Sequence, residues 1–253
     1  MKFALIGHPV SHSFSAQYLN TRFQNEGIDA HYELIDLPDI AEFPTLIQSG
    51  KYNGFNVTIP HKKSIIPYLD SLSPEAAAVG AVNVIQIIKT HDITNSSPVL
   101  GEVSKGRRGS LHLIGHNTDI IGFHETLTPL LKPYHTHAVI LGTGGASQAV
   151  QYVLHQLNIP FRLVTHKELD TNTITQLAPI IINTTPLGMH PNTNTIPNID
   201  YSQITPKHLI YDLVYNPIET RFLQLAKQQG ATTQNGLAML HCQADAALKI
   251  WLK

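Results

Sequence analysis

A glycine-rich segment at residues 142–147 has the composition of a phosphate-binding turn. It follows the apolar run 138–141 directly and precedes a helical pattern over 148–157. Glycines let the backbone approach a pyrophosphate closely, and the N–H groups at the start of a helix face the anion. Ser147 stands where the usual fingerprint has its third glycine, so the match is partial. The segment predicts a dinucleotide site, and an ordinary strand–helix connection is the alternative.

The residues after the next predicted strand bear on which dinucleotide would bind. Sites for NAD carry an Asp or Glu about 20 residues beyond the glycine-rich turn, and here Glu168 and Asp170 come slightly late. The basic pair His166 and Lys167 suits the 2′-phosphate of NADP, so NADP is favoured over NAD. A polar loop end without a ligand is the alternative interpretation.

Three polar groups elsewhere also follow predicted strands. Residues 11–15 read Ser-His-Ser-Phe-Ser, Lys62 follows the strand pattern 54–60, and Asp119 follows residues 115–118. Ligands of open α/β sheets bind beyond the carboxyl ends of the strands. The hydroxyls could therefore bind an anionic small molecule, and the lysine and the carboxylate could handle protons. Helix capping and solvated side chains are the alternative explanations.

Lys62 stands at the start of a helix that the pattern predicts over residues 62–69. A cation at a helix N-terminus is unfavourable for the helix dipole. Placements that cost stability are typical of functional positions. The sequence therefore marks Lys62 as a candidate for chemistry, with a solvated surface lysine as the alternative.

Several kinds of chemistry have no matching pattern. The histidines show neither HExxH nor two histidines and a carboxylate at ligand spacing, so no metal site is expected. A nucleophile elbow of the type G-x-S-x-G is also missing, so Ser-His-Asp hydrolysis is not expected. The single cysteine, Cys242, cannot form an internal disulfide, which excludes a disulfide-based secreted scaffold.

Composition narrows the class of protein further. The chain has 253 residues, enough for one or two domains. Its 17 Lys and Arg against 18 Asp and Glu give a net charge of −1, so no nucleic-acid partner is expected. No run approaches the roughly 18 apolar residues of a membrane span. We expect a cytoplasmic protein, and a loop or loose hairpin over the polar segment 89–110.

Strand and helix patterns alternate along the chain, which is typical of βαβ units and parallel sheets. The predicted strands cover residues 3–6, 31–37, 54–60, 138–141, 161–165, 179–183 and 209–213. The predicted helices cover residues 15–26, with Ser13 or Ser15 as N-cap, part of 39–48, with a break at Pro44, and 62–69, 148–157 and 237–252.

Together these segments make the chain similar to the shikimate dehydrogenase family over nearly its whole length. Each segment alone is weak, but eight of them in the family's order are specific. They are Ser11-His12-Ser13-x-Ser15, Asn56-Val57-Thr58-x-Pro60-x-Lys62, Gly80-Ala81-Val82-Asn83, Asn117-Thr118-Asp119, Gly142-x-Gly144-Gly145-Ala146-Ser147, Asn183-Thr184-Thr185, Tyr211-Asp212-Leu213-Val214-Tyr215-Asn216-Pro217 and Asn235-Gly236-Leu237-x-Met239-Leu240-x-x-Gln243.

The resemblance implies an α/β protein of two domains. An N-terminal α/β domain with a mainly parallel sheet, residues 1–115, would bind the substrate, and the C-terminal helix, residues 235–253, would return to it. A central Rossmann-like domain, residues 116–234, would bind NADP, with the reaction in the cleft between the two.

The resemblance also implies reversible NADP-dependent reduction of 3-dehydroshikimate to shikimate, a step of aromatic amino acid (chorismate) biosynthesis. Hydride transfer would occur at C3, with Lys62 and Asp119 as the catalytic pair. The implied substrate-binding residues are Ser13, Ser15, Asn56, Thr58, Asn83, Tyr215 and Gln243. The implied cofactor-binding residues are Gly142, Thr143, Gly144, Gly145, Ala146, Ser147, Thr165, His166, Lys167, Asn183, Thr184, Thr185, Leu213 and Gly236.

Some positions depart from the family's pattern. Ala16, Val84 and Ile120 replace its usual Pro, Thr and Gly, and none of these removes a reacting group. Thr165-His166-Lys167 lacks the arginine that usually binds the 2′-phosphate, so NAD is also compatible. The alternatives are a quinate or dual quinate/shikimate dehydrogenase and a non-catalytic dinucleotide-binding regulator. We expect a monomer or homodimer with no membrane partner.

Overall fold

The computed structural model of the chain describes residues 1–89, 111–171 and 178–253. The chain divides into two compact units, one of Met1–Asn117 with Ala247–Lys253 and one of Thr118–Ala246. The implied functional domains have bounds at 115/116 and 234/235, whereas the units have bounds at 117/118 and 246/247, so residues 235–246 lie in the second unit. The predicted loop 89–110 lies outside the described residues, apart from Lys89.

The described strands and helices follow one another in an α/β order. The strands are β1 (Lys2–Gly7), β2 (His31–Asp36), β3 (Gly54–Val57), β4 (Ser71–Leu72), β5 (Val84–Lys89), β6 (Leu111–His116), β7 (Ala138–Leu141), β8 (Phe161–Val164), β9 (Ile180–Asn183), β10 (Leu209–Asp212) and β11 (Thr232–Gln234). The helices are α1 (Ser15–Asn25), α2 (Phe43–Gln48), α3 (Pro74–Val79), α4 (Asp119–Leu127), α5 (Gly145–Gln156), α6 (His166–Thr171), α7 (Arg221–Gln228) and α8 (Leu237–Trp251).

The first unit contains a six-stranded sheet in the order β2-β1-β3-β5-β6-β4. The strand β1 runs parallel to β2 and β3, whereas β5 is antiparallel to both β3 and β6. The end of α8 packs on this sheet through Trp251, whose ring stacks on Phe3 at 4.6 Å and whose Nε1 donates to the carbonyl of Ile85 at 3.0 Å. The last turn of the chain is thereby fixed to the N-terminal sheet.

The second unit contains a five-stranded, entirely parallel sheet in the order β11-β10-β9-β7-β8. Its inner strands are apolar and buried along their length, as in β9, because helices cover both faces of such sheets. All five carboxyl ends lie at one edge, where ligands of open α/β sheets bind. The expected α/β class, with mainly parallel pairing, is confirmed.

Several local predictions were wrong. Residues 59–65 form turns and only Ile66–Tyr68 is helical, as a 3-10 turn, because Pro67 lacks the N–H that a longer helix needs. Pro44 lies in the first turn of α2, where proline is tolerated, and does not break it. Phe14, rather than either serine, occupies the N-cap position of α1, and no side chain caps that helix.

One helix of the second unit also begins earlier than predicted. The helix α5 begins at Gly145, before its predicted start at Gln148, so the glycine-rich turn feeds straight into it. Among the described residues, no helix is long and apolar enough to span a membrane.

Candidate active site

The turn after β7 requires a residue without a side chain. Gly142 has φ +104°, and a Cβ there would lie 2.8 Å from both Oγ1 of Thr184 and Cγ2 of Thr185. Its N–H donates to the carbonyl of Val164 at 2.9 Å, which fixes the turn to the neighbouring strand β8. Any other residue at 142 would meet both backbone strain and a steric clash.

The remainder of the turn is open. Thr143 and Gly144 are exposed, and a Cβ at Gly144 would find no atom within 4 Å. Gly144 is the N-cap of α5, which starts without a side-chain cap. The first N–H groups of this 12-residue helix have no side-chain cap and lie next to an exposed turn, and this arrangement fits the pyrophosphate of a dinucleotide.

Ser147 supports this turn from behind. Its side chain is fully buried, and its Oγ donates to the carbonyl of Gly142 at 2.8 Å while accepting from Nε2 of Gln151 at 3.1 Å. A glycine at this position could not close the turn in that way. Ser147, which replaces the third glycine of the usual fingerprint, thus stabilises the turn through its hydrogen bond to Gly142.

The end of β8 carries an ionised acid beside the two predicted basic residues. The carboxylate of Glu168 accepts from the N–H of Thr165 at 2.8 Å and from its hydroxyl at 2.9 Å, and it pairs with Arg162 at 3.2 Å. These donors, the Thr165 N–H above all, lower the pKa of Glu168. His166 and Lys167 are exposed next to it. The sequence signal for this capping box, Thr-x-x-Glu, was present but missed.

The segments after β9, β10 and β11 supply the remaining predicted cofactor residues. Thr184 donates its hydroxyl to the carbonyl of Leu141 at 2.7 Å, which holds it against the glycine-rich turn. Gly236 packs on the backbone of Leu213, since a Cβ there would lie 2.6 Å from the Leu213 carbonyl carbon. The predicted cofactor residues of the second unit therefore converge on the carboxyl edge of one sheet.

The first unit holds two predicted hydroxyl ligands at the start of α1. Ser13 donates its hydroxyl to Oγ of Ser15 at 3.1 Å, and the N–H of Ser15 donates to Oγ of Ser13 at 3.3 Å. Ser15 is buried and Ser13 is half-buried. The two side chains thus form one local pair beyond the carboxyl end of β1.

Asn56 and Asn83 belong to a buried chain of hydrogen bonds. The hydroxyl of Tyr32 donates to Oδ1 of Asn56 at 2.7 Å, and Nδ2 of Asn56 donates to the carbonyl of Asn83 at 3.0 Å. The N–H of Asn83 donates in turn to the carbonyl of His116 at 3.0 Å. Besides the substrate contact predicted for it, Asn56 therefore fixes the backbone that carries Asn83.

Lys62 lies in the turns that follow β3, and these turns are anchored on both sides. The ring of the buried His61 bonds through Nε2 to the carbonyl of Leu37 at 2.5 Å. The carbonyl of Lys62 accepts the N–H of Val82 at 2.8 Å. Thr58 precedes this turn, and its N–H donates to the carbonyl of Ile6 at 2.9 Å. The half-buried Lys62 therefore has a fixed backbone without a helix.

Asp119 and Gln243 stand on two helices of the second unit that touch at a glycine. Asp119 is the first residue of α4 and is buried, and Thr118 holds the N-cap position. A Cβ at Gly122, one turn later, would lie 2.7 Å from the carbonyl oxygen of Met239 in α8. The Thr118 hydroxyl also donates to Oε1 of Gln243 at 3.4 Å. The close approach thereby sets how the two helices present these side chains.

The predicted site residues fall into two groups by unit. The first unit carries Ser13, Ser15, Asn56, Thr58, Lys62 and Asn83; the second carries Asp119, the half-buried Tyr215, Gln243 and the cofactor set. Over the described ranges, no cluster of three or more His, Cys, Asp or Glu could hold a metal ion.

A parallel sheet in which the inner strand β7 leads through a glycine turn into a helix defines a dinucleotide-binding α/β protein. Residues 5–85 match the family model described as the shikimate dehydrogenase substrate binding domain. The NADP(+) shikimate dehydrogenase of Staphylococcus epidermidis is 34% identical over 270 residues, covering 99% of this chain and 92% of the relative.

Solved structures agree with this match. Shikimate dehydrogenase 1 of Peptoclostridium difficile has a TM-score of 0.78 at 32% identity, covering 99% of this chain and 91% of that one. The Thermus thermophilus enzyme, solved with NADP(H) and shikimate, has a TM-score of 0.79 at 28% identity, covering 99% and 93%. This chain belongs to the shikimate dehydrogenase family.

Proposed function

We propose that this protein catalyses the reversible, NADP-dependent reduction of 3-dehydroshikimate to shikimate. The observation that carries the proposal is the open glycine turn ahead of α5, in a chain that matches NADP(+)-dependent relatives over nearly its full length. The Thermus thermophilus neighbour binds both NADP(H) and shikimate, which supports the same pair of ligands here.

The residues of the second unit would hold the cofactor. Backbone N–H groups at Gly144, Gly145 and Ala146 would bind the pyrophosphate, and Leu213 with Gly236 would flank the nicotinamide. The bound nicotinamide would supply the hydride acceptor for oxidation of shikimate at C3 and, in its reduced form, the hydride donor for the reverse reaction. Thr165, His166 and Lys167 would face the ribose 2′-phosphate, as the resemblance implies.

The substrate would be held by hydroxyl and amide groups. Ser13, Ser15 and Tyr215 would donate to its carboxylate, since hydroxyl donors near a carboxylate form charge-assisted hydrogen bonds. Ring hydroxyls need partners that both donate and accept, and amide and hydroxyl side chains do so. Thr58, Asn83 and Gln243 are the groups that we assign to them.

Lys62 and Asp119 would manage the proton at the C3 oxygen. That oxygen must lose a proton as shikimate is oxidised and gain one in the reverse direction. Lys62 either takes the proton as a general base or remains an ammonium that stabilises the developing alkoxide. In both roles it acts mainly in the transition state, and Asp119 would orient it and balance its charge.

A steady-state assay of shikimate oxidation tests the function. We expect NADPH to form with wild-type protein, and kcat to fall about 10²- to 10⁴-fold in Lys62→Ala with little change in shikimate KM. Asp119→Asn should also lose kcat, and the double variant should lose less than the product of the two effects. An intact kcat in Lys62→Ala would refute its assignment.

The ionised Glu168 gives a specific reason to test NAD as a second cofactor. A carboxylate at the end of this strand accepts hydrogen bonds from the ribose of NAD and repels a 2′-phosphate. Comparing kcat/KM for NADP⁺ and NAD⁺ decides between the two. Comparable values would overturn the NADP preference while leaving the dehydrogenase assignment intact.

We also propose that the protein acts in the cytoplasm as a monomer or homodimer. Light scattering after gel filtration of the 253-residue chain tests the oligomeric state. A mass above that of two chains would contradict it.

A further inference from the structure

We propose that the carboxylate of Asp212 is a positioning residue of the cofactor site, because it ties the segment after β9 to the segment after β10. It contacts no ligand itself in this proposal, and it acts through the backbone that the ligand would touch. The inference rests on the proposed function, since it assumes that these segments bind the dinucleotide.

The Asp212 side chain is fully buried and accepts three hydrogen bonds. Its Oδ1 accepts from Nδ2 of Asn183 at 2.9 Å and from the N–H of Val214 at 3.1 Å. Its Oδ2 accepts from the hydroxyl of Thr220 at 2.6 Å. One carboxylate therefore joins the end of β9, the start of the 213–220 segment and the cap of α7.

The hydrogen bonds continue to the proposed cofactor-binding groups. Oδ1 of Asn183 accepts from both the N–H and the hydroxyl of Thr185, at 3.0 and 2.6 Å. The methyl group of Thr185 lies directly against Gly142, where a Cβ would come within 2.8 Å of it. Through Asn183, the carboxylate thus fixes one wall of the glycine-rich turn.

The other branch reaches the groups assigned to the nicotinamide end. Asp212 holds the N–H of Val214, and the carbonyl of Val214 accepts the N–H of Gly236 at 3.1 Å. Gly236 itself packs on the Leu213 backbone. A shift of residues 213–214 would therefore move both residues that we place beside the nicotinamide.

A carboxylate suits this position because all three of its partners are donors. An asparagine would turn its NH₂ group either toward the Thr220 hydroxyl or toward the two N–H donors, so at least one buried donor would lose its acceptor. The three partners named above are neutral, and Asp212 lies near enough to Tyr201 for its charge to help raise the pKa of that phenol, after burial. Burial accordingly raises the pKa of Asp212 to about 6.

The Asp212→Asn variant tests the proposal, with Tyr211→Phe as a matched control. Tyr211 is the preceding residue of β10 and is equally buried, and its hydroxyl bonds to Thr126 at 2.6 Å, away from the turn segments. Each variant disturbs one buried polar side chain on the same strand. Only Asp212→Asn disturbs the groups assigned to the cofactor.

We expect the Kd for NADP⁺, measured by titration calorimetry at pH 7.5, to rise about tenfold in Asp212→Asn. In Tyr211→Phe it should stay within twofold of wild type. The shikimate KM and the kcat at saturating NADP⁺ should stay within twofold of wild type in Tyr211→Phe. If Asp212→Asn does not fold, Thr220→Val removes one donor and leaves the carboxylate, and it should raise the Kd about threefold.

Three results would overturn the proposal. An unchanged NADP⁺ Kd in Asp212→Asn, or an unchanged Kd in Thr220→Val if that variant has to be used, removes the positioning role. An equal rise in Tyr211→Phe means that the effect is general destabilisation. Wild-type protein that fails to bind NADP⁺ refutes the proposed function together with this inference, whereas wild-type binding with an unaffected Asp212→Asn refutes this inference alone.

Discussion

Replacing Gly142 by alanine is the sharpest perturbation of the proposed cofactor turn. A side chain at φ +104° is strained, and its Cβ would lie 2.8 Å from Thr184 and Thr185. Backbone strain of this kind costs about 1–3 kcal/mol, and overpacking costs about 1–3 kcal/mol. Taking the lower values, we expect Gly142→Ala to cost at least about 2 kcal/mol.

Where this cost appears depends on whether the turn relaxes. If the turn keeps its conformation, the cost falls on folding, and Tm drops by about 4–8 °C at roughly 2–4 °C per kcal/mol. If it relaxes, the cost must be met when the ligand binds, and the NADP⁺ Kd rises about 30-fold. Thermal unfolding of the variant therefore measures the part of the cost that falls on folding, and NADP⁺ titration of the same preparation measures the part that falls on binding.

Gly144→Ala is the matched control two residues along the same turn. Gly144 has φ −74°, and a Cβ there meets no atom within 4 Å, so Tm should stay close to that of wild type. That Cβ would project beside the N–H groups assigned to the pyrophosphate, so NADP⁺ binding should weaken. Wild-type NADP⁺ binding in both variants would refute the assignment of this turn.

Three further perturbations probe other parts of the account. Gly122→Ala would push α4 away from the Met239 carbonyl and misplace Asp119. The kcat/KM for shikimate should therefore fall about tenfold or more, while the Kd for NADP⁺ stays unchanged. A rise in the Kd for NADP⁺ would contradict this expectation. Glu168→Gln removes a charge that repels a 2′-phosphate, so the ratio of kcat/KM for NADP⁺ to that for NAD⁺ should rise about two- to fivefold, and a lower ratio would count against that interpretation. Folding raises the pKa of the Asp212 carboxyl from 3.8 to about 6, so the folded state binds this proton more tightly than the unfolded state does. The stability that the bound proton supplies is present below about pH 4 and is lost as the pH rises through about 6. Chemical denaturation measures the free energy of unfolding of wild type and of Asp212→Asn at each pH. Between about pH 4 and 7 the wild-type value should fall relative to that of the variant by up to about 3 kcal/mol. A difference between the two proteins that stays constant with pH would refute the buried-charge interpretation.

The strands of the second unit could be predicted because their signals are local. An apolar run such as β7 followed by glycines marks both the strand and its turn, and the structure places both there. The helix predicted over residues 62–69 does not form, because Pro67 lacks the N–H that a longer helix needs. A loop or loose hairpin is predicted over residues 89–110, and β5 and β6 on either side of it pair antiparallel. The register of this pairing could not be predicted, because the segment between the strands is too long for a tight turn to fix it.

The contacts that shape the site depend on residues far apart in the chain. Gly122 and Met239 are widely separated in sequence, and nothing in either local segment indicates that their backbones touch. Asp212 and Asn183 likewise meet only because β9 and β10 are neighbours in the sheet. The Thr165–Glu168 capping box, by contrast, was visible in the sequence as a short motif.

Transfer of a deuterium label from substrate to cofactor tests whether the protein moves a hydride from C3 of shikimate to NADP⁺. Shikimate deuterated at C3 is incubated with the wild-type protein and NADP⁺, and the mass of the cofactor produced is measured by mass spectrometry. We predict NADPH that carries one deuterium per molecule formed. NADPH without deuterium, or no NADPH at all, would contradict hydride transfer from C3 and with it the proposed reaction.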